Sequence, residues 1–176
     1  MNNFITDLEY SLEERENRLF DKFYYRAFKG LMHIKLVSDL GQQREGIDKV
    51  LHFSNGKQLL IDEKKRRKDY GDILLEEWSI VEQKKKGWVG DSKKKTDYIV
   101  YAIMPSQKVY LFPYLLLQAA WRKHYLEWKK NYRTQIAKNI GYNTSFLCIP
   151  PPILISAIKN EMEQTLKDNR YGRSSA

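Results

Sequence analysis

The stretch that decides the fold is Gly46-Ile47-Asp48-Lys49-Val50-Leu51-His52-Phe53, Ser54-Asn55-Gly56-Lys57, Gln58-Leu59-Leu60-Ile61-Asp62-Glu63-Lys64-Lys65. It reads as two strands joined by a tight turn. Side chains of an extended chain repeat their facing every two residues, so an acid and a lysine two positions later share a face. If Asn55-Gly56 is a two-residue turn, Asp48 lies opposite Glu63, and Lys65 shares their face. If Ser54-Asn55-Gly56 is a three-residue loop with a glycine bulge, Asp48 lies opposite Asp62, and Lys64 shares their face. A slip of one residue exchanges these sets. The triplet Leu59-Leu60-Ile61 ends directly before Asp62, which favours the second register.

Either set offers two carboxylates and an amine on neighbouring strands. Carboxylate oxygens are what Mg²⁺ or Mn²⁺ prefers. A metal so held acidifies a bound water and polarises a phosphate, while an ammonium stabilises developing charge. The same residues also fit an ordinary solvated strand of alternating charge.

Upstream, the spacing of Leu8, Leu12, Leu19, Phe20 and Phe23 predicts a helix from about Asp7 to Gly30, with Thr6 or Asp7 as its cap. Glu16 falls inside its apolar stripe, and a carboxylate on a buried face requires a partner. A strand is expected at 33–37 and a loop at 39–43. Downstream come a basic connector at 66–71, strands at 73–81, 96–104 and 108–112, a long helix at 113–138 and a last helix at 153–167. The order describes one α+β (mixed α/β) domain over 1–168, with a central mixed sheet, a β-meander and flanking helices, then a flexible tail at 169–176.

The chain has 176 residues and a net charge of +9, with 42% hydrophobic and 13% aromatic residues, which supports a folded core and a polyanionic partner. Cys148 is the single cysteine, so no intrachain disulfide forms. No apolar run approaches the roughly 18 residues that suggest a membrane span. These features point to a soluble protein of a reducing compartment. The histidines lack metal-ligand spacing, and no phosphate-cradling glycine loop is present. Two lysine triplets bracket Trp88 between Lys84 and Lys95; either the indole stacks on bases or it packs in the core.

The pattern resembles the PD-(D/E)XK nuclease superfamily over residues 7 to 104. Its motif places an acid at the start of the second strand, matched by Gly46-Ile47-Asp48, and Asp/Glu-x-Lys at the end of the third, matched by Asp62-Glu63-Lys64. Ile47 stands where the motif has proline. Glu63-Lys64-Lys65 supplies a second legal reading. The resemblance implies a restriction-endonuclease-like core of a helix, a three-stranded meander, a helix and a further strand, and the segment from Gly87-Trp88 to Tyr101 resembles a phage or mobile-element branch. It implies a Mg²⁺-dependent (or Mn²⁺-dependent) deoxyribonuclease with Asp48, Asp62, Lys64 and Glu16 catalytic and Asp48, Asp62 and Glu63 at the metal. DNA is then the partner, a homodimer a means of cutting both strands, and the cytoplasm of a bacterial or phage-infected cell the setting. The alternative is a non-catalytic basic nucleic-acid-binding protein with a nuclease-like fold.

Overall fold

The computed structural model describes the backbone of residues 4–171 and the side chains of 16–169. The expected cap at Thr6 or Asp7, the Leu8 and Leu12 side chains and the end of the tail lie outside the described residues. The elements are α1 (Phe4–Ala27), β1 (Leu31–Leu36), α2 (Leu40–Arg44), β2 (Lys49–Phe53), β3 (Gln58–Arg66), β4 (Ile73–Ile80), β5 (Lys85–Lys86), β6 (Tyr98–Ile103), β7 (Lys108–Pro113), α3 (Tyr114–Asn131), β8 (Thr134–Asn139), β9 (Tyr142–Ile149) and α4 (Pro151–Tyr171). The mixed α+β class and a five-stranded mixed central sheet follow the sequence expectation. The expectation of one sheet is corrected, because the described strands form two sheets in two compact units.

The first unit comprises residues 1–69 and 95–111. Its sheet runs β1-β2-β3-β6-β7. The loop between β2 and β3 adopts the bulged form: Phe53 N–H donates to the Lys57 carbonyl at 3.0 Å, and Gly56 sits at φ +79°. That left-handed conformation suits glycine. The ladder Lys49↔Ile61, Leu51↔Leu59 fixes the register. Beyond β3 the sheet becomes parallel, with Asp62 beside Ile99 and Lys64 beside Tyr101. Asp97 seeds that pairing; its carboxylate accepts the Leu60 N–H at 2.8 Å and its own N–H donates to the Leu60 carbonyl at 2.9 Å. Strand β6 is buried at nearly every position, as expected of a central parallel strand covered on both faces. Phe20 and Tyr24 of α1 pack on Leu51, Ile61, Val100 and Ala102, which share one face of the sheet.

A parallel pair needs a crossover, and the resemblance implies a helix there. Residues 67–97 instead contain β4, β5 and no helix. Burial alternates along β4 from Ile73 to Glu77, as in a strand, and the glycines at 87 and 90 suit turns rather than helix.

The second unit comprises residues 70–94 and 112–176, with the sheet order β5-β4-β9-β8. Its strands pair antiparallel. The expected helix at 113–138 stops at Asn131, and Tyr132 is extended (φ −120°, ψ 156°). The β-branched Thr134 and Ile136 and the positive φ of Gly141 favour the β8–β9 hairpin over further helix. Buried Glu77 accepts hydrogen bonds from Tyr125, Lys129 and Ser145. Trp88 is packed rather than presented, 7% exposed, and its carbonyl accepts the Tyr114 hydroxyl at 2.7 Å. Trp121 and Trp128 are likewise buried. Among the described residues no helix is long and apolar enough to cross a membrane.

Candidate active site on one face of strand β3

Extending the β2–β3 ladder by one step sets Asp48 opposite Asp62. Asp48 is fastened by its backbone on both sides: its N–H donates to the Ile61 carbonyl at 2.8 Å, and its carbonyl accepts the Val37 N–H at 2.9 Å. Its carboxylate accepts the Glu63 N–H at 2.7 Å. Asp62 is 1% exposed, and Lys64, two residues further along the strand, donates to it. The apolar triplet before Asp62 delivers it into the protein rather than to the surface, as the sequence suggested.

Burial, then repulsion from Asp62, push the Asp48 carboxyl up to about 6 from an ordinary 3.8; the Glu63 N–H and Lys64 oppose the rise. Two carboxylates converge on a partly desolvated spot beside the Lys64 ammonium, an arrangement that raises the proton affinity of one acid. Opposed carboxylate oxygens are the donors a hard divalent cation takes, and Mg²⁺ commonly uses one or two of them with waters and phosphate completing its shell. Asp48 and Asp62 therefore fit such an ion. Among the described residues no group of three or more His, Cys, Asp or Glu side chains is arranged as a complete metal cage.

The other sequence candidates lie on the opposite face of β3. The Glu63 carboxylate accepts the Tyr24 hydroxyl at 2.7 Å and meets Lys49 Nζ at 3.1 Å. Its side chain is thus directed at α1, and only its backbone N–H reaches Asp48. That corrects the placement of Glu63 with the metal ligands: strand alternation sends residues 62 and 63 to opposite faces. Glu16 is buried as its place in the apolar stripe suggested, but its partners are Lys65 at 3.4 Å and Arg67 at 3.5 Å. It therefore shares the α1-facing side with Lys65 and Glu63, and the expectation that it joins Asp48 and Asp62 is corrected.

Sequence reasoning missed Lys49. It is 4% exposed, bonded to Asp21 at 2.9 Å as well as to Glu63, and lies 5.5 Å from the Tyr24 ring centre. The signal was present: Lys49 shares the two-residue period of Leu51 and Phe53, so it belongs to the apolar face. Burial and the Glu63 carboxylate raise the Tyr24 hydroxyl well above its usual range, which keeps it a donor.

No family model, curated protein or solved structure matches this chain.

Proposed function

We propose that the chain is a Mg²⁺-dependent (or Mn²⁺-dependent) nuclease that hydrolyses DNA phosphodiester bonds, as the PD-(D/E)XK-like motif implies. The observation that carries this reading is the convergence of Asp48 and buried Asp62 with Lys64 on one face of β3. Asp48 and Asp62 would hold the ion. When bound, it supplies an activated water and a polarised phosphate. Lys64 stands beside Asp62 to meet the negative charge that grows on the phosphate oxygens. The backbone bonds of Asp48, with the Glu63 N–H on its carboxylate, hold that group in place. The net charge of +9 supports a polyanionic substrate.

The test is incubation of the purified chain with supercoiled plasmid and with linear DNA, in Mg²⁺, in Mn²⁺ and in chelator. Cleavage that requires the ion and is lost in Asp62→Asn supports the proposal. Salt-sensitive DNA binding without cleavage under any of these conditions would replace it with the non-catalytic binding protein.

A further inference from the structure

The face that carries Asp48 and Asp62 continues along β2 and β3 into a concave pocket of about 460 Å³. Half-buried Val50, Leu60 and His52 line it, and Lys35 and Gln58 stand exposed around it. We propose that this pocket receives one unstacked nucleobase of the substrate strand, adjoining the phosphate held at the acids. The inference rests on the nuclease reading of that neighbouring site.

Position comes first. Leu60 precedes Asp62 by two residues on the same face, so a rise of about 3.4 Å per residue places the pocket roughly 7 Å from the acids. That is within reach of a nucleotide adjoining the scissile phosphate. The volume falls within the ~300–1,000 Å³ typical of small-ligand sites.

The lining chemistry suits a base. Val50 and Leu60 give an apolar surface for a flat ring. His52 lines the pocket with a half-buried ring, which gives a flat surface beside Val50 and Leu60. The exposed His33 ring lies 5.8 Å from that of His52, centre to centre, and offers a second plane near it. Gln58 carries an amide that both donates and accepts. Lys35 supplies charge for a backbone phosphate, whereas the nearby Asp39 carboxylate is engaged by the Gln42 N–H at 2.8 Å. A base must leave its duplex partner to enter such a pocket, so the pocket favours single-stranded, frayed or locally unpaired DNA, where that cost is least.

The test uses the intact chain in chelator, where no cleavage intervenes, and a single-stranded oligonucleotide containing 2-aminopurine, whose emission rises when the base leaves its neighbours. Emission should rise on binding. His52→Ala with Gln58→Ala should remove that rise and weaken binding about tenfold. Gln58 is exposed, so Gln58→Ala alone carries the test if His52→Ala fails to fold. Emission unchanged by the substitutions overturns the pocket. No rise from a chain that binds the oligonucleotide and cuts DNA once Mg²⁺ is added also overturns it, and leaves the nuclease reading standing. A rise that the substitutions abolish, from a chain that never cuts DNA, supports the pocket and overturns the nuclease reading.

Discussion

The two faces of strand β3 carry the same kinds of side chain to opposite ends. On the α1 side, Glu63 is met by Lys49 and Tyr24, and Glu16 by Lys65 and Arg67. Both of these acids have a cation beside them. On the other side, Lys64 donates to Asp62, and burial first, then repulsion from Asp62, raises the proton affinity of Asp48. The acids on the α1 side are met by cations on folding, whereas two acids brought together on the other side form the kind of donor pair a divalent cation can take. The run Asp62-Glu63-Lys64-Lys65 offers two legal motifs, and strand alternation separates them: Asp62 and Lys64 lie with Asp48, whereas Glu63 and Lys65 turn to α1.

The sharpest way to break this comparison is to remove one acid from each face. Asp62→Asn keeps shape but loses charge. It should lower Mg²⁺-dependent cleavage by about 10³-fold or more, a loss of several kcal/mol in transition-state stabilisation, while folding and DNA binding persist. Glu63→Gln should leave the catalytic rate within about threefold, since its carboxylate faces α1, and should act on stability instead. Lys64→Ala should fall between them, slowing cleavage without removing metal binding. Single-turnover cleavage with metal-binding calorimetry separates the three; a dead Glu63→Gln beside an active Asp62→Asn would reverse the faces.

The next effect belongs to the α1 face alone. Lys49→Met leaves the Glu63 carboxylate, 8% exposed, without its cation. Breaking a buried pair from one side costs about 3–5 kcal/mol. Urea denaturation should show that loss. Lys49→Met paired with Glu63→Leu should recover much of it, because the cost is mostly an uncompensated charge.

A smaller effect distinguishes the faces by pH. The folded value of Asp48, about 6, lies above its ordinary 3.8, so the folded state binds this proton more tightly. Its contribution to stability is present below pH 3.8 and is lost as pH rises through 6. The loss amounts to about 1–2 kcal/mol once solvent screening of a partly exposed group is allowed for. Mg²⁺ should therefore raise the melting temperature more at pH 7.5 than at pH 5, and Asp62→Asn should abolish the difference. A metal response equal at both pH values would show that the Asp48 proton does not oppose the metal.

Much of this face was legible in sequence because two signals coincide on it. The Ser54-Asn55-Gly56 loop restricts the register, and the triplet ending at Ile61 shows which acid follows the buried run. The α1 face was less legible. Glu16 announced its burial by its place in the stripe, but its partners, Lys65 and Arg67, depend on how α1 packs over the sheet. Lys49 was readable only with the pleat drawn, as a lysine in step with Leu51 and Phe53. The second sheet was harder still. From Thr134 to Ile149 the local signals, β-branched Thr134 and Ile136 and the turn at Gly141, point to a hairpin, but the pairing of β9 with β4 as well as β8 is not local. Tertiary pairing of that kind lies outside local propensity.

The smallest expected effect concerns Glu16, where motif and packing disagree most directly. The motif makes it an assistant at the metal; the packing places it with Lys65 and Arg67 on the other face. Glu16→Gln should change the cleavage rate by less than about threefold, since uncoupled substitutions away from reacting atoms leave chemistry nearly untouched. Its stability cost should be about 1 kcal/mol, because Arg67 is largely exposed and the pair is partly screened. The Mg²⁺ concentration at half-maximal rate is the deciding measurement. A lost metal contact shifts it upward even where the saturated rate is preserved, whereas a broken ion pair on the α1 side does not move it. A shift of tenfold or more would bring Glu16 around to the acids in the metal-bound state. It would also mean that the pairing on the α1 face holds only until the ion arrives.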